Sequence, residues 1–138
     1  MININILREI SSFNKNNMKI PTFKDLRFKD HPNNNFLGDM AGVSARKSLG
    51  HGRFCISVIA HKRKQSGVGG CFYGSVEEGL YEVAILNIDG EFVILTKHEF
   101  FNEAVKGWQT EDEINKIMET FYRLGRLQSI REKNESIV

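Results

Sequence analysis

Arg53-Phe54-Cys55-Ile56-Ser57-Val58-Ile59-Ala60 and Leu80-Tyr81-Glu82-Val83-Ala84-Ile85-Leu86-Asn87-Ile88 decide the fold class. Both stretches are rich in β-branched, aromatic and aliphatic residues, which suit the pleated surface of a strand resting on a core. Upstream, residues 41–49 also read as a strand, and Gly50-His51-Gly52 joins it to the first stretch, so residues 41–61 form an expected β-hairpin. Downstream of the second stretch, Asp89-Gly90 is a two-residue type I′ turn signal. Counting back from that turn opposes Leu86 to Val93 and Ala84 to Leu95 on one face, and Ile85 to Ile94 and Asn87 to Phe92 on the other. Both faces of this ribbon are largely apolar. One is expected against helices, the other under the N-terminal segment, the long connection or a second copy of the chain.

Beyond Thr96 the period changes. Phe100, Phe101, Ala104, Val105 and Trp108 follow helical spacing, with Gly107 placed to end a short helix over Glu99–Lys106. Thr110-Glu111-Asp112-Glu113 has the form of a capping box, and Ile114, Ile117, Met118, Phe121 and Leu124 give the following helix one apolar stripe. Gly125 is an expected stop, and residues 126–138 read as a charged C-terminal tail. At the other end, Ile4, Leu7, Ile10 and Phe13 recur at helical spacing, so Ile4 to Ser12 suit a short amphipathic helix in an N-terminal extension, residues 1–17. Met18-Lys19-Ile20-Pro21 then opens the single domain, residues 18–125, with Met18 an alternative start. Thr22 to Phe28 reads as an extended segment at the sheet edge, and His31-Pro32-Asn33-Asn34-Asn35 as a turn.

The segment joining the two deciding stretches, His61 to Gly79, is about three times the usual length of a connection, and such loops are commonly functional or disordered. It opens with His61-Lys62-Arg63-Lys64, passes through Gly67-Val68-Gly69-Gly70-Cys71-Phe72-Tyr73-Gly74 and closes with Glu77-Glu78-Gly79. Cations beside stacking rings suit a phosphate-bearing ligand, whether a nucleotide or single-stranded nucleic acid, and equally suit the centre of a protein interface. Lys62, Arg63, Lys64, Phe72 and Tyr73 are therefore the candidate partner- or ligand-binding residues. The glycines lack the Gly-Lys-Ser/Thr ending of a nucleoside triphosphatase loop and do not lead from a strand into a helix. His51, Cys55, His61 and Cys71 include no Cys-x-x-Cys or His-x-x-x-His pair, so neither a metal nor another cofactor is expected. No catalytic constellation is legible.

With 138 residues the chain is long enough for one core, and a net charge of +2 is too small for indiscriminate nucleic-acid binding by bulk charge. Two cysteines make no disulfide framework, apolar runs are far short of a membrane span, and the N-terminus lacks a secretory signal, so the expected compartment is the cytoplasm.

Lys24-Asp25-Leu26-Arg27-Phe28-Lys29-Asp30-His31-Pro32, the Gly69–Gly74 loop, Gly79-Leu80-Tyr81-Glu82-Val83-Ala84-Ile85-Leu86 and Thr110-Glu111-Asp112-Glu113-Ile114 stand in an order that resembles a family of small proteins encoded by bacteriophages and prophages. The resemblance spans about residues 18–124. Members of that family often carry Tyr-Asp-Thr-Pro-Ile-Thr where this chain has Leu95-Thr96-Lys97-His98-Glu99-Phe100. It carries over no catalytic residue, and it implies an accessory protein in the host bacterial cytoplasm, a class that includes many inhibitors of host defence. The expectation is an α+β domain: a four- or five-stranded, mainly antiparallel sheet with C-terminal helices packed on one face. Its expected function is non-enzymatic inhibition of a host macromolecule through the 61–79 loop. The alternative is a nucleotide or nucleic-acid binder using the same loop, for example to sequester a nucleotide signal. The expected partner is a host protein, with nucleotide or nucleic acid second, no membrane, and a homo-oligomer compatible with the two apolar ribbon faces.

Overall fold

The expected hairpin lies at the centre of the structure. A computed structural model describes residues 19–32, 41–65 and 71–135. Strands β2 (Gly42–Leu49) and β3 (Phe54–His61) pair antiparallel from Gly42 opposite His61 to Leu49 opposite Phe54. β4 (Tyr81–Asn87) pairs with the far side of β3, and the short β1 (Lys29–Asp30) with the far side of β2. The edge strand expected at 22–28 thus lies slightly later; Phe23–Asp25 instead forms a 3-10 turn in which Asp25 accepts the Thr22 N–H at 2.8 Å. The expected helix at Ile4–Ser12 and turn residues Asn33, Asn34 and Asn35 lie outside the described residues.

Residues 96–109 form short strands and the turns between them, which corrects the helix expected over Glu99–Lys106. β5 (Thr96–Lys97) and β6 (Asn102–Glu103) make a small hairpin, and β7 (Val105–Gln109) joins β4 to complete a five-stranded antiparallel sheet in the order β1-β2-β3-β4-β7. The supposed helical stripe is not a buried face: Phe100, Phe101 and Trp108 are all exposed. A helix draws its tertiary stability from burying one face, and here most of the apolar residues at helical spacing stay exposed, while the backbone of Val105–Gln109 pairs with β4 instead.

The Asp89-Gly90 turn also differs in register. Asn87 N–H donates to the Glu91 carbonyl at 2.8 Å and Gly90 N–H to the Asn87 carbonyl at 3.0 Å, with Gly90 at φ 80°. The loop is therefore the three residues 88–90, a turn closed by a left-handed glycine. The Asn87 side chain accepts from the amides of Asp89 and Glu91 at 3.0 and 2.9 Å, which favours this longer form. Leu86 consequently opposes Phe92 rather than Val93. A slip of one residue exchanges the faces, turning Val93 onto the core while Phe92 and Ile94 are exposed.

Helix α1 (Glu111–Glu135) crosses one face of the sheet. Its capping box forms as expected: Glu113 N–H donates to Thr110 Oγ1 at 3.2 Å, and Thr110 N–H to Glu113 Oε1 at 3.3 Å. Ile114 and Met118 are fully buried against Ala45, Leu49, Ile56, Val58, Val83 and Ile85. Gly125 does not stop the helix. A Cβ there would lie 2.5 Å from the Gly50 carbonyl oxygen, so glycine lets α1 press onto the β2–β3 turn. Arg53 then reaches the later turns of α1 through Ser129 and a salt bridge to Glu132. No helix among the described residues is long and apolar enough to cross a membrane.

Candidate functional site

The sheet face opposite α1 carries the site. Alternation along β3 sends Phe54, Ile56 and Val58 into the core and Cys55, Ser57, Ile59 and His61 outward. Register aligns Lys29, Ser44, Ile59 and Glu82 in one row across four strands, and Arg46, Ser57 and Ala84 in the next. Arg27, Lys29, His31, Ser44, Arg46, Ser57, Ile59 and Pro32 line a groove of about 490 Å³ over β1–β3. No carboxylate is among these lining residues, and Arg27, Lys29 and Arg46 enter no ion pair among the described residues. Three cationic side chains, an imidazole, two hydroxyls and the apolar Ile59 and Pro32 in a concave site of this size suit a small anionic ligand, phosphate above all.

Residues 71–79 of the long connection form a strap fastened over the end of this face. His61, only 1% exposed, accepts the amides of Cys71 and Phe72 on Nε2 at 3.1 and 3.2 Å, and its own amide donates to the Gly74 carbonyl at 3.0 Å. Phe72 is wedged between the rings of His31 and His61, with centroids 4.7 Å from each. The Tyr73 amide donates to Glu82 Oε1 at 3.2 Å, and the Tyr73 carbonyl accepts the Trp108 amide at 2.8 Å. Glycines clear the strap's path. A Cβ on Gly42 would meet the Phe72 ring at 2.6 Å, one on Gly107 would meet Tyr73 Cβ at 2.4 Å, and one on Gly74 would meet the Leu80 carbonyl at 2.5 Å. Residues 66–70, which include the whole Gly67–Gly70 run, lie outside the described residues.

The five loop residues expected to act together are divided. Lys62 pairs with Asp30 at 2.8 Å. The Lys64 amide donates to Glu77 at 2.8 Å, and its ammonium lies 3.8 Å from Glu78. Arg63 is exposed and in no ion pair among the described residues. Phe72 is half-buried and forms a wall beside His31, while Tyr73 remains 57% exposed. Burial pushes the Glu82 carboxyl above its ordinary range, opposed by the Tyr73 N–H bond and by His61.

Of the four histidines and cysteines weighed for a metal, only His61 and Cys71 meet, with Sγ 3.9 Å from Nε2. Two backbone amides already point at that nitrogen. His51 lies beside Arg126, with 3.2 Å between its Nε2 and Nη1. Among the described residues no three His, Cys, Asp or Glu side chains gather to hold a metal ion.

Sequence reasoning passed over Arg27, Lys29 and Arg46. The period-two spacing of Arg27, Lys29 and His31 was the available signal, since it puts three basic groups on one side of an extended segment. Nothing local links them to Arg46, which register alone brings near. Trp108 was hidden by its assignment to a helix. Comparison with family models, with curated proteins and with solved structures found no match.

Proposed function

We propose that the chain is a non-enzymatic binding protein for a phosphate-bearing ligand, a nucleotide or polynucleotide held on the open sheet face. The observation that carries this reading is the groove in which Arg27, Lys29 and Arg46 converge without a carboxylate among its lining residues. Guanidinium groups match phosphate oxygens in a bidentate fork, lysine adds a point charge, and the Ser44 and Ser57 hydroxyls supply neutral donors. Phe72 packs on the ring of His31, one of the lining residues, and so braces that side of the groove from behind. In a phage accessory protein, the setting implied by the sequence resemblance, such a site fits sequestration of a nucleotide signal.

Isothermal titration with adenosine triphosphate and inorganic tripolyphosphate tests the reading. Affinity is expected to fall with added salt, and to fall at least about tenfold when Arg27, Lys29 and Arg46 are all replaced by alanine. Replacing Lys62 and Lys64, whose charges already face acids, is expected to change it much less. Equal affinities for parent and triple variant would overturn the assignment.

A second reading, contact with a host protein through the 61–79 loop, is favoured by the exposure of Arg63 and Tyr73. Nuclease-treated host lysate passed over the parent and over a double variant, Arg63→Ala with Tyr73→Ala, tests it: a specific protein lost only from the variant supports it, and equal capture rejects it.

A further inference from the structure

The groove occupies only one side of the open face. At the opposite edge of the sheet, β7 carries a bulge between Val83 opposite Lys106 and Tyr81 opposite Gln109. Within it Trp108 holds φ 56°, a left-handed conformation that a bulky side chain adopts rarely and at a cost. The strain does not bury the indole, which is 53% exposed. Its amide instead fixes it to the Tyr73 carbonyl, and Tyr73 sits over the open backbone of Gly107. One backbone hydrogen bond therefore ties two exposed aromatic residues to the same edge of the sheet, one of them strained. Observed strain of this kind points towards a surface in use.

We infer that Tyr73 and Trp108 form a base-stacking platform and that the ligand of the open face is a single-stranded polynucleotide, its backbone held in the Arg27–Lys29–Arg46 groove and its bases reaching the β7 edge. The inference rests on the phosphate-binding reading of the groove and adds the ligand's length. From β1 to β7 there are four strand spacings, about 19 Å at roughly 4.8 Å each. Even from Arg46 on β2 there are three spacings to β7, about 14 Å at the same roughly 4.8 Å, so a nucleoside monophosphate whose phosphate is held by the three cations does not bring its base to the platform, whereas several linked nucleotides do. Positive charge at one side and exposed rings at the other are the two components by which single strands are bound with little regard to sequence. Glu82 is the acid in the intervening row, and its Oε1 is turned to the strap amide of Tyr73. The modest net charge of +2 agrees with a short local footprint rather than a long cationic track.

The chain's single tryptophan is the reporter. Trp108 fluorescence is followed while the full chain is titrated with oligothymidylates and oligouridylates of one to about eight nucleotides, with adenosine triphosphate and tripolyphosphate as short ligands. The expected result is quenching that begins only at several nucleotides, with affinity rising at least about tenfold from the monomer to the longest oligomer. Trp108→Gly, which removes the ring and relieves the backbone, and Tyr73→Leu should each flatten that length dependence, read by anisotropy of a labelled oligomer. If oligomers bind no tighter than the short phosphates and leave Trp108 emission unchanged, the platform is overturned and the groove reading stands. If neither oligomers nor short phosphates bind, both readings are overturned.

Discussion

His61 shows how one side chain organises a segment. Its Nε2 takes the amides of two successive residues, Cys71 and Phe72, and its ring packs on Phe72. His61→Ala strands both amides at a part-buried site and removes the ring contact. The expected loss is about 2–4 kcal/mol in urea unfolding, given roughly 1–3 kcal/mol for each unsatisfied buried donor. Protease cleavage should also rise within 71–75. Glu82 secures the next residue of the strap but at a cost, because burial favours its protonated form. A carboxyl whose folded pKa is raised binds more protons in the folded than in the unfolded chain just above the ordinary glutamate range, so stability declines as pH rises through that window. Glu82→Gln keeps an oxygen for the Tyr73 amide and abolishes the titration. The variant is expected to lose that decline and to be the more stable protein at neutral pH; a difference between the two chains that does not change between about pH 4 and about pH 7 would contradict this. Comparing parent with variant cancels Asp25, whose carboxyl is held below its usual range chiefly by the Thr22 amide and acts in the opposite direction.

The elements differ in how far they could be read from the chain, and the difference is whether their determinants are local. The β2–β3 hairpin and the start of α1 depend on residues close in sequence, namely alternation around Gly50-His51-Gly52 and the Thr110–Glu113 box, and both form as expected. Residues 96–109 failed because apolar spacing alone cannot distinguish a buried stripe from exposed aromatics at a hairpin tip and a bulge. The Asp89-Gly90 register failed through Asn87, whose side chain stabilises a loop one residue longer. Half of the cationic groove was legible in the alternation of Arg27, Lys29 and His31, but Arg46 joins it only through strand register. Gly125 is a further instance. Read locally it is a helix stop, whereas its role is set by a turn far away in sequence. Gly125→Ala drives a methyl group into the Gly50 backbone, across a contact that has no slack. An Ala would ordinarily help a helix by about 1 kcal/mol, but here overpacking should dominate, with a net loss of about 1–3 kcal/mol. Gly90→Ala is the control. Nothing lies within 4 Å of its would-be Cβ, so only its positive φ resists substitution, and about 1 kcal/mol is expected. Thermal unfolding of the two variants gives the order directly.

For the molecule as a whole, the two faces of the sheet differ in kind, and the proposed function assigns binding to only one of them. The face under α1 holds the buried cluster from Leu26 to Met118, while the opposite face presents charge, hydroxyls and a fastened strap. Arg27, Lys29 and Arg46 line one groove with like charge and enter no ion pair among the described residues. In the free protein their mutual repulsion opposes folding, and a bound anion is what would relieve it. Replacing all three with serine should therefore leave stability unchanged or raise it slightly, within about 0.5 kcal/mol per site for exposed substitutions, while it weakens ligand binding. Substitutions under α1 should do the reverse. Met118→Ala empties a fully buried position and should cost about 2–5 kcal/mol while leaving the open-face groups in place. Urea unfolding and adenosine triphosphate titration on the same two preparations decide the matter, because the triple-serine chain is expected to fall only in affinity and the Met118 variant chiefly in unfolding free energy. If the triple-serine chain lost several kcal/mol instead, the three cations would be holding the edge strand in place, and their convergence would be a feature of the fold and not of a ligand site.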